Sequence, residues 1–470
     1  MNIVEVIRRE TAGLPEDKIA IRAEAGELSY GALFQTLEAV AAVLKEQGVS
    51  PCSRVGLAFP DSTDYIILSL AVLSLDAVLV PVTVSAAREV AEEILEKTAA
   101  EFLISSSEML SGAAVWMNCR ELPGQGGFYL TRCTPAATLP EEFYKMDPAF
   151  IRFSSGTTGT SKGVLLTHPA IAERTAAADQ ALKITSADTV LWVLSMSFHF
   201  VVSILLFLRR GATIWLCSES FPFSFLSAVQ RGDGTFIYAT PFHYRTLIEA
   251  KTTGSDALNK VRMAISTAMK LPPETESTFR EKFGFGLTEA YGIIEVGLPF
   301  VNATGAKPAG SVGRALPGFE LDIHNPDENG IGEVRLRGPG MYAAYLSPWQ
   351  LRKPDDWFAT GDTGRLDDDG FLTLLGRSKN LINFAGMKVF PYEVEAVLDR
   401  YPGVRASLVY PEAHPRYGQL PCANVEASGV TADELQRHCY EHLESYKVPK
   451  KIELVDRLER TASGKIKRTV

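Results

Sequence analysis

The stretch Phe153–His168 reads FSSGTTGTSKGVLLTH. From Ser154 to Gly163 every residue except Lys162 is serine, threonine or glycine. Gly156, Gly159 and Gly163 allow positive φ and let the backbone come close to a ligand. Ser154, Ser155, Thr157 and Thr158 place hydroxyls between them. Consecutive backbone N–H groups in such a turn form an anion-binding nest, to which Lys162 adds a positive charge. The segment therefore reads as a loop that wraps a polyphosphate. It is not a Walker loop, which requires a glycine before and a Ser or Thr after its lysine. Ser161 precedes Lys162 and Gly163 follows it. The later SGKIKR also fails, because Ile466 follows its lysine.

Around this loop, strand and helix patterns alternate. Ser29 can cap a helix carrying Leu33, Leu37, Val40 and Leu44 on one face and stopped at Gly48. RVGLAF reads as a strand, DYIILSLAVLSLDA as a helix and VLVPV as a further strand. TVLWVLS, ATIWLC and TFIYAT are short apolar runs bounded by turn residues. Such alternation predicts an α/β fold with a largely buried sheet. The run Leu191–Leu208 approaches the length of a membrane span. Its histidine and serines favour a buried strand followed by a buried helix. After about Pro308 the chain changes to strand-and-turn chemistry, with hairpin signals at Asn329-Gly330 and in LDDDGFLTLLGR. FPYEVEAVLDRYPGV then reads as a helix with Pro391 in its first turn and its end at Pro402-Gly403. The expected division is a large domain over residues 1–378 and a small one over 379–470.

The chain has 470 residues, 46% hydrophobic and 22% charged, which is more than one core usually supports. A net charge of −9 makes nonspecific nucleic-acid binding an unsuitable role. Six scattered cysteines, with no CxxC pair, fit a reducing cytoplasmic location. The N-terminus has early acidic residues and no apolar core of signal-peptide length.

FSSGTTGTSKGV resembles the signature loop of the adenylate-forming superfamily, which contains the acyl- and aryl-CoA synthetases. LSYGALFQTLEAVAAVLKEQGV and DAVLVPV resemble its early segments. WFATGDTGRLDDDGFLTLLGRSKNLINFAGMKVFPYEVEAVL and ERTASGKIKR resemble its late ones, in order. The resemblance spans almost the whole chain. It implies a large N-terminal domain of α/β-layered sheets with a β-rich subdomain, plus a small mobile α+β C-terminal domain.

It also implies site residues. Ser154, Ser155, Gly156, Thr157, Thr158, Gly159 and Lys162 would hold the β- and γ-phosphates of ATP. Asp362 would accept hydrogen bonds from the ribose, and Arg377 would be a second nucleotide contact. Lys465 would be the catalytic lysine, reaching the α-phosphate and the substrate carboxylate. Lys379 stands at the hinge position. Gly386, in NFAGMKVFP, would line the tunnel for the thiol arm of CoA after the small domain rotates. His199, at the end of SMSFHF, would border the acyl site or gate the tunnel. Glu459-Arg460-Thr461 lacks the proline often found there in the family, and Asn380 replaces an acidic residue common beside the hinge.

The family's Tyr-Gly-x-Thr-Glu motif meets two overlapping candidates in FGFGLTEAYGIIEVGLP. FGLTE has the threonine, whereas YGIIE has the tyrosine and the better spacing. The second register makes Glu295 the Mg²⁺ ligand and sets Tyr291 against the adenine, with Glu289 as the alternative metal ligand. It also leaves Ile294 where a threonine normally donates to the α-phosphate.

The acyl segment lacks the aspartate that amino-acid-activating members carry. Val201, Val202, Tyr238, His243 and the residues after Gly292 suggest a mainly apolar pocket for an aryl or medium-chain alkyl acid. The expected activity is an acid–CoA ligase using ATP, Mg²⁺ and CoA. Loading of an acyl carrier protein, or a degenerate binder of acyl-CoA or acyl-AMP, are the alternatives. The expected partners are a small carboxylic acid and CoA or that carrier protein, with a homodimer as a further expectation and no nucleic acid or integral membrane segment.

Overall fold

The computed structural model describes residues 1–84, 88–107, 114–119, 122–124, 126–135, 138–154, 162–218, 220–302, 310–385, 387–460 and 466–468. Among these residues, most of the chain before Leu372 shares one large apolar core. Two big sheets and the helices around them build it. One sheet has the strand order 297–301, 288–293, 263–266, 236–239, 189–192, 213–216, 19–23, 26–29. Its interior pairs are parallel and its outer pairs antiparallel. The strands TVLW, TIWL and FIYA are buried along almost their whole length, as a sheet covered on both faces requires.

The second sheet includes Val78–Pro81, Pro148–Ser154, Lys162–Thr167 and Ala344–Leu346. Helix Thr63–Ser74 is buried from Asp64 to Leu73, which explains why its sequence is apolar on every side. Helix Tyr30–Glu46 follows the capping signal. The Ser29 side chain accepts from the Ala32 N–H, and Leu33, Leu37, Val40 and Leu44 are buried.

The run Leu191–Leu208 folds as expected. Strand Thr189–Trp192 is followed by a helical segment from Met196 to Arg209, with a π-helical turn at Phe200–Ile204. Among the described residues no helix is long and apolar enough to cross a membrane.

The strand-rich texture after residue 308 becomes a five-stranded antiparallel sheet, ordered 311–313, 372–377, 358–366, 332–337, 320–324. Its hairpins sit at the two turn signals. In the first, Asp327 Oδ1 accepts the N–H groups of Asn329 and Ile331 at 3.0 Å, and Gly330 takes φ 72°.

A second apolar core runs from Ile382 to Val448. Here a small sheet (387–389, 382–384, 418–427, 404–414, with 451–455 on 418–427) packs against helices Pro391–Leu398 and Ala432–His442. The fold is therefore α/β layers with a β-rich subdomain and a small α+β unit. One boundary differs from the sequence reading. The helix starting at Pro391 stops at Leu398, before Pro402-Gly403. Asp399 accepts a hydrogen bond from Ser407 Oγ at 2.8 Å, tying the helix end to the strand that follows.

Candidate active site

Strands Pro148–Ser154 and Lys162–Thr167 form an antiparallel hairpin whose last pair is Ser154 with Lys162. The sheet thus fixes both ends of the glycine-rich segment. Residues 155–161 lie outside the described residues, and with them Ser155, Gly156, Thr157, Thr158 and Gly159. Gly386 and Lys465 do so as well.

Lys162 Nζ stands 4.8 Å from the ring centroid of Tyr345, a cation–π distance. Tyr345 lies on the neighbouring strand, opposite Val164. Its hydroxyl donates to Glu295 Oε1 at 3.3 Å. Burial, then the Glu295 charge, push that phenol up. The Glu295 carbonyl accepts the Tyr342 N–H at 2.8 Å, so the same segment holds Glu295 by backbone and side chain. Two arginines lie within electrostatic reach of Glu295. Arg174 is fully buried and donates to the carbonyls of Gly340 and Ile294. Burial depresses its guanidinium to about 9, with Glu295 opposing the shift. Arg152 also feels Glu295, and burial depresses it to about 10.

Four residues before Glu295, Tyr291 points elsewhere. Its hydroxyl donates to Asp362 Oδ2. Asp362 is 6% exposed and pairs with Arg377, Oδ1 to Nε, at 2.9 Å. Arg377 Nη1 also donates to the Thr360 carbonyl at 2.7 Å, and Thr360 Oγ1 accepts the Asp362 N–H at 3.0 Å. Burial, then the Asp362 charge, push the Tyr291 phenol well above its usual range. It is a hydrogen-bond donor at neutral pH.

Glu289, the alternative metal ligand, has a different environment. Its Oε1 accepts the Leu271 N–H at 3.4 Å, and its charge acts on Lys270. Lys270 is held down mainly by burial, and Glu395 and Asp399 of the small unit act on it too. Its Nζ lies 5.9 Å from the Tyr392 ring centroid. Lys379 is exposed on the short turn Ser378–Asn380, directly after Arg377.

On the acyl side, His199 ends the turn Met196–His199 and meets Trp192 edge-to-face at 6.3 Å. Trp192 stacks on Tyr238 at 5.8 Å. His243 has a local task instead of a free edge. Its Nδ1 accepts from the Thr240 N–H at 3.2 Å and from the Thr240 hydroxyl at 2.8 Å, closing the start of its own helix. Burial lowers it to about 4, so the ring is neutral.

Sequence reasoning singled out neither Arg152, Arg174 nor Tyr345. Arg152 left a signal, a lone charge in the apolar strand PAFIRFS immediately before the glycine-rich segment.

The fold is that of a two-domain adenylate-forming enzyme. Residues 7–346 match the AMP-binding enzyme family and residues 393–465 its C-terminal domain, so the chain belongs to the AMP-binding enzyme family. The oxalate–CoA ligase of Arabidopsis thaliana is 28% identical over 94% of this chain and 92% of its own. The probable CoA ligase CCL9 of Humulus lupulus is 30% identical over 94% and 90%. The 4-coumarate–CoA ligase 2 of Nicotiana tabacum is 29% identical over 91% and 86%. Among solved structures, ATP-bound MatB from Rhodopseudomonas palustris superposes with a TM-score of 0.85 at 23% identity, covering 99% of this chain and 97% of its own.

Proposed function

We infer that this protein is an acid–CoA ligase that forms AMP. A carboxylate oxygen of the acid attacks the α-phosphorus of ATP, and the bond to the β-phosphate oxygen breaks to release pyrophosphate. The CoA sulfur then attacks the acyl carbonyl with loss of the thiol proton, and AMP leaves. The relatives named above support the acceptor, since each is a CoA ligase by name.

The observation that carries the reading is the divergence of Tyr291 and Glu295. Four residues apart, one reaches the Asp362–Arg377 pair and the other reaches Tyr345 beside Lys162. A nucleotide laid between them would have its ribose at Asp362 and its phosphates at Lys162 and the glycine-rich segment. In-line phosphoryl chemistry depends chiefly on such positioning and on charge stabilisation.

Glu295 suits Mg²⁺, which is commonly bound by one or two carboxylates together with substrate phosphates. It is an oxygen ligand tied to the Lys162 neighbourhood through Tyr345. Bound there, Mg²⁺ would neutralise phosphate charge. Lys465 stabilises the charge that shifts during adenylation, and Lys379 is the hinge that carries its domain away before thiolation. Gly386 then lines the thiol tunnel, and His199 borders the acyl group. The boundary between the two working domains lies at 378/379. Six cysteines scattered with no CxxC pair fit a cytoplasmic location.

The test is ATP–pyrophosphate exchange against a panel of carboxylic acids, repeated with CoA and mass detection. A thioester mass is the expected result. Exchange without a CoA product would redirect the acceptor to an acyl carrier protein.

A further inference from the structure

Arg152 lies on strand Pro148–Ser154, just before the glycine-rich segment. Strand alternation puts it on the same face as Phe150, toward the core shared by the two large sheets. Its Nη1 donates to the Phe198 carbonyl at 2.8 Å, and its guanidinium lies 4.9 Å from the Phe198 ring centroid. Phe198 adjoins His199, so Arg152 stands on the acyl side of the site.

Its donors are poorly served. A guanidinium has five N–H groups. Arg152 Nε is enclosed without a partner, and among the described residues no carboxylate forms an ion pair with this side chain. Arg174 shows the contrast, with each of its three nitrogens donating to a carbonyl. The Tyr65 hydroxyl, near enough to Arg152 to act on it electrostatically, is likewise enclosed without a partner. Arg152 is half-buried, and Glu295 acts on it electrostatically without closing an ion pair, so the hydration it gives up is only partly offset.

The reacting carboxylate cannot settle this balance, since it loses its charge on becoming an acyl-adenylate. An anion that persists through both steps can. We propose that Arg152, with Tyr65, forms an anion subsite for a second carboxylate on the acid substrate, so that the enzyme prefers dicarboxylic acids to their monoacid counterparts. This rests on the ligase reading and narrows its substrate class.

The test uses the full chain with matched pairs: adipate and its monomethyl ester, glutarate and pentanoate, phthalate and 2-methylbenzoate. Thioester formation by the wild type should favour at least one diacid by about tenfold or more in kcat/KM, the discrimination expected when a site built for a polar group loses it. Arg152→Met should lower kcat/KM for that diacid about a hundredfold, mostly through KM, as loss of one partner of a buried charge pair does. It should leave the monoacid and the KM for ATP nearly unchanged, and Arg152→Lys should recover part of the loss.

Thioesters from monoacids alone would overturn the subsite and keep the ligase. An equal loss on both acids with a raised KM for ATP would move Arg152 to the phosphates and overturn it too. Calorimetric binding of the same acids without ATP separates the two readings. Arg152-dependent diacid binding with no thioester would keep the subsite and sink the ligase, and neither binding nor thioester would sink both. Should Arg152→Met not fold, the wild-type preference within the matched pairs decides.

Discussion

Asp362 and Arg377 face each other as paired residues of two antiparallel strands, and their side chains close an ion pair of 2.9 Å across that pair. The sheet therefore sets the position of the carboxylate. Tyr291, arriving from the large parallel sheet, donates to the other carboxylate oxygen. Asp362 thus links the β-rich subdomain to the α/β layers, which also share the large apolar core.

Asp362→Asn should weaken ATP binding. The amide offers one acceptor oxygen where two donors, Arg377 and Tyr291, now converge, and its NH₂ would oppose one of them. Loss of a charged hydrogen bond of this kind is worth about 1.5–3 kcal/mol. The KM for ATP should rise roughly ten- to a hundredfold by that measure, with a smaller effect on the KM for the acid. An unchanged KM for ATP would remove Asp362 from the nucleotide site.

Glu295→Gln should raise the Mg²⁺ concentration needed for half-maximal activity by about tenfold or more, since the metal would lose its charged oxygen ligand. Glu289→Gln should not. Glu289 accepts the Leu271 N–H and faces Lys270, away from the Lys162–Tyr345 contact that adjoins Glu295. A Mg²⁺ titration of both variants decides the register, and the opposite ranking would exchange the two glutamates.

Lys465→Ala should abolish adenylation while sparing the second half-reaction. A lysine that stabilises charge during displacement at phosphorus contributes only to that step, on the order of a hundredfold or more. Pyrophosphate exchange should fall to background, and CoA transfer from a supplied acyl-adenylate should continue. Equal loss in both assays would argue against a domain that carries Lys465 to the site for one step only.

Much of this arrangement was legible in the sequence because it rests on local rules. The Ser29 cap, the apolar runs TVLW, TIWL and FIYA, and the turns at Gly330 and Gly370 each follow from residues a few positions apart. The motifs around Lys162, Glu295 and Asp362 were legible by resemblance. What escaped depends on distant partners. Tyr345 matters because its strand pairs with the one bearing Lys162, and no local pattern announces that pairing. His243 looked like a pocket residue, whereas its contact with Thr240 makes it a helix cap. Arg152 stands out through its contacts with Phe198, and Lys270 through the acidic groups that act on it from distant segments, which spacing alone cannot reveal.

Asp399→Asn should change how stability depends on pH. Burial pushes the Asp399 carboxyl up to about 7. The Ser407 hydrogen bond and the charges of Arg245 and Lys270 oppose that shift, and Glu395 reinforces it. A folded-state value above the unfolded one means that the native state holds its proton more tightly. The associated stability is fully present below about pH 4, the ordinary aspartate range, and is lost as pH rises through about 7. Asparagine stays neutral and keeps an oxygen to accept from Ser407. Thermal unfolding of the full chain should give similar midpoints for wild type and variant near pH 4.5. At pH 8 the variant should lie higher by a few degrees, the shift expected from about 1 kcal/mol or more. A constant offset at both pH values would mean that the substitution acts through packing, and that Asp399 does not titrate in this range.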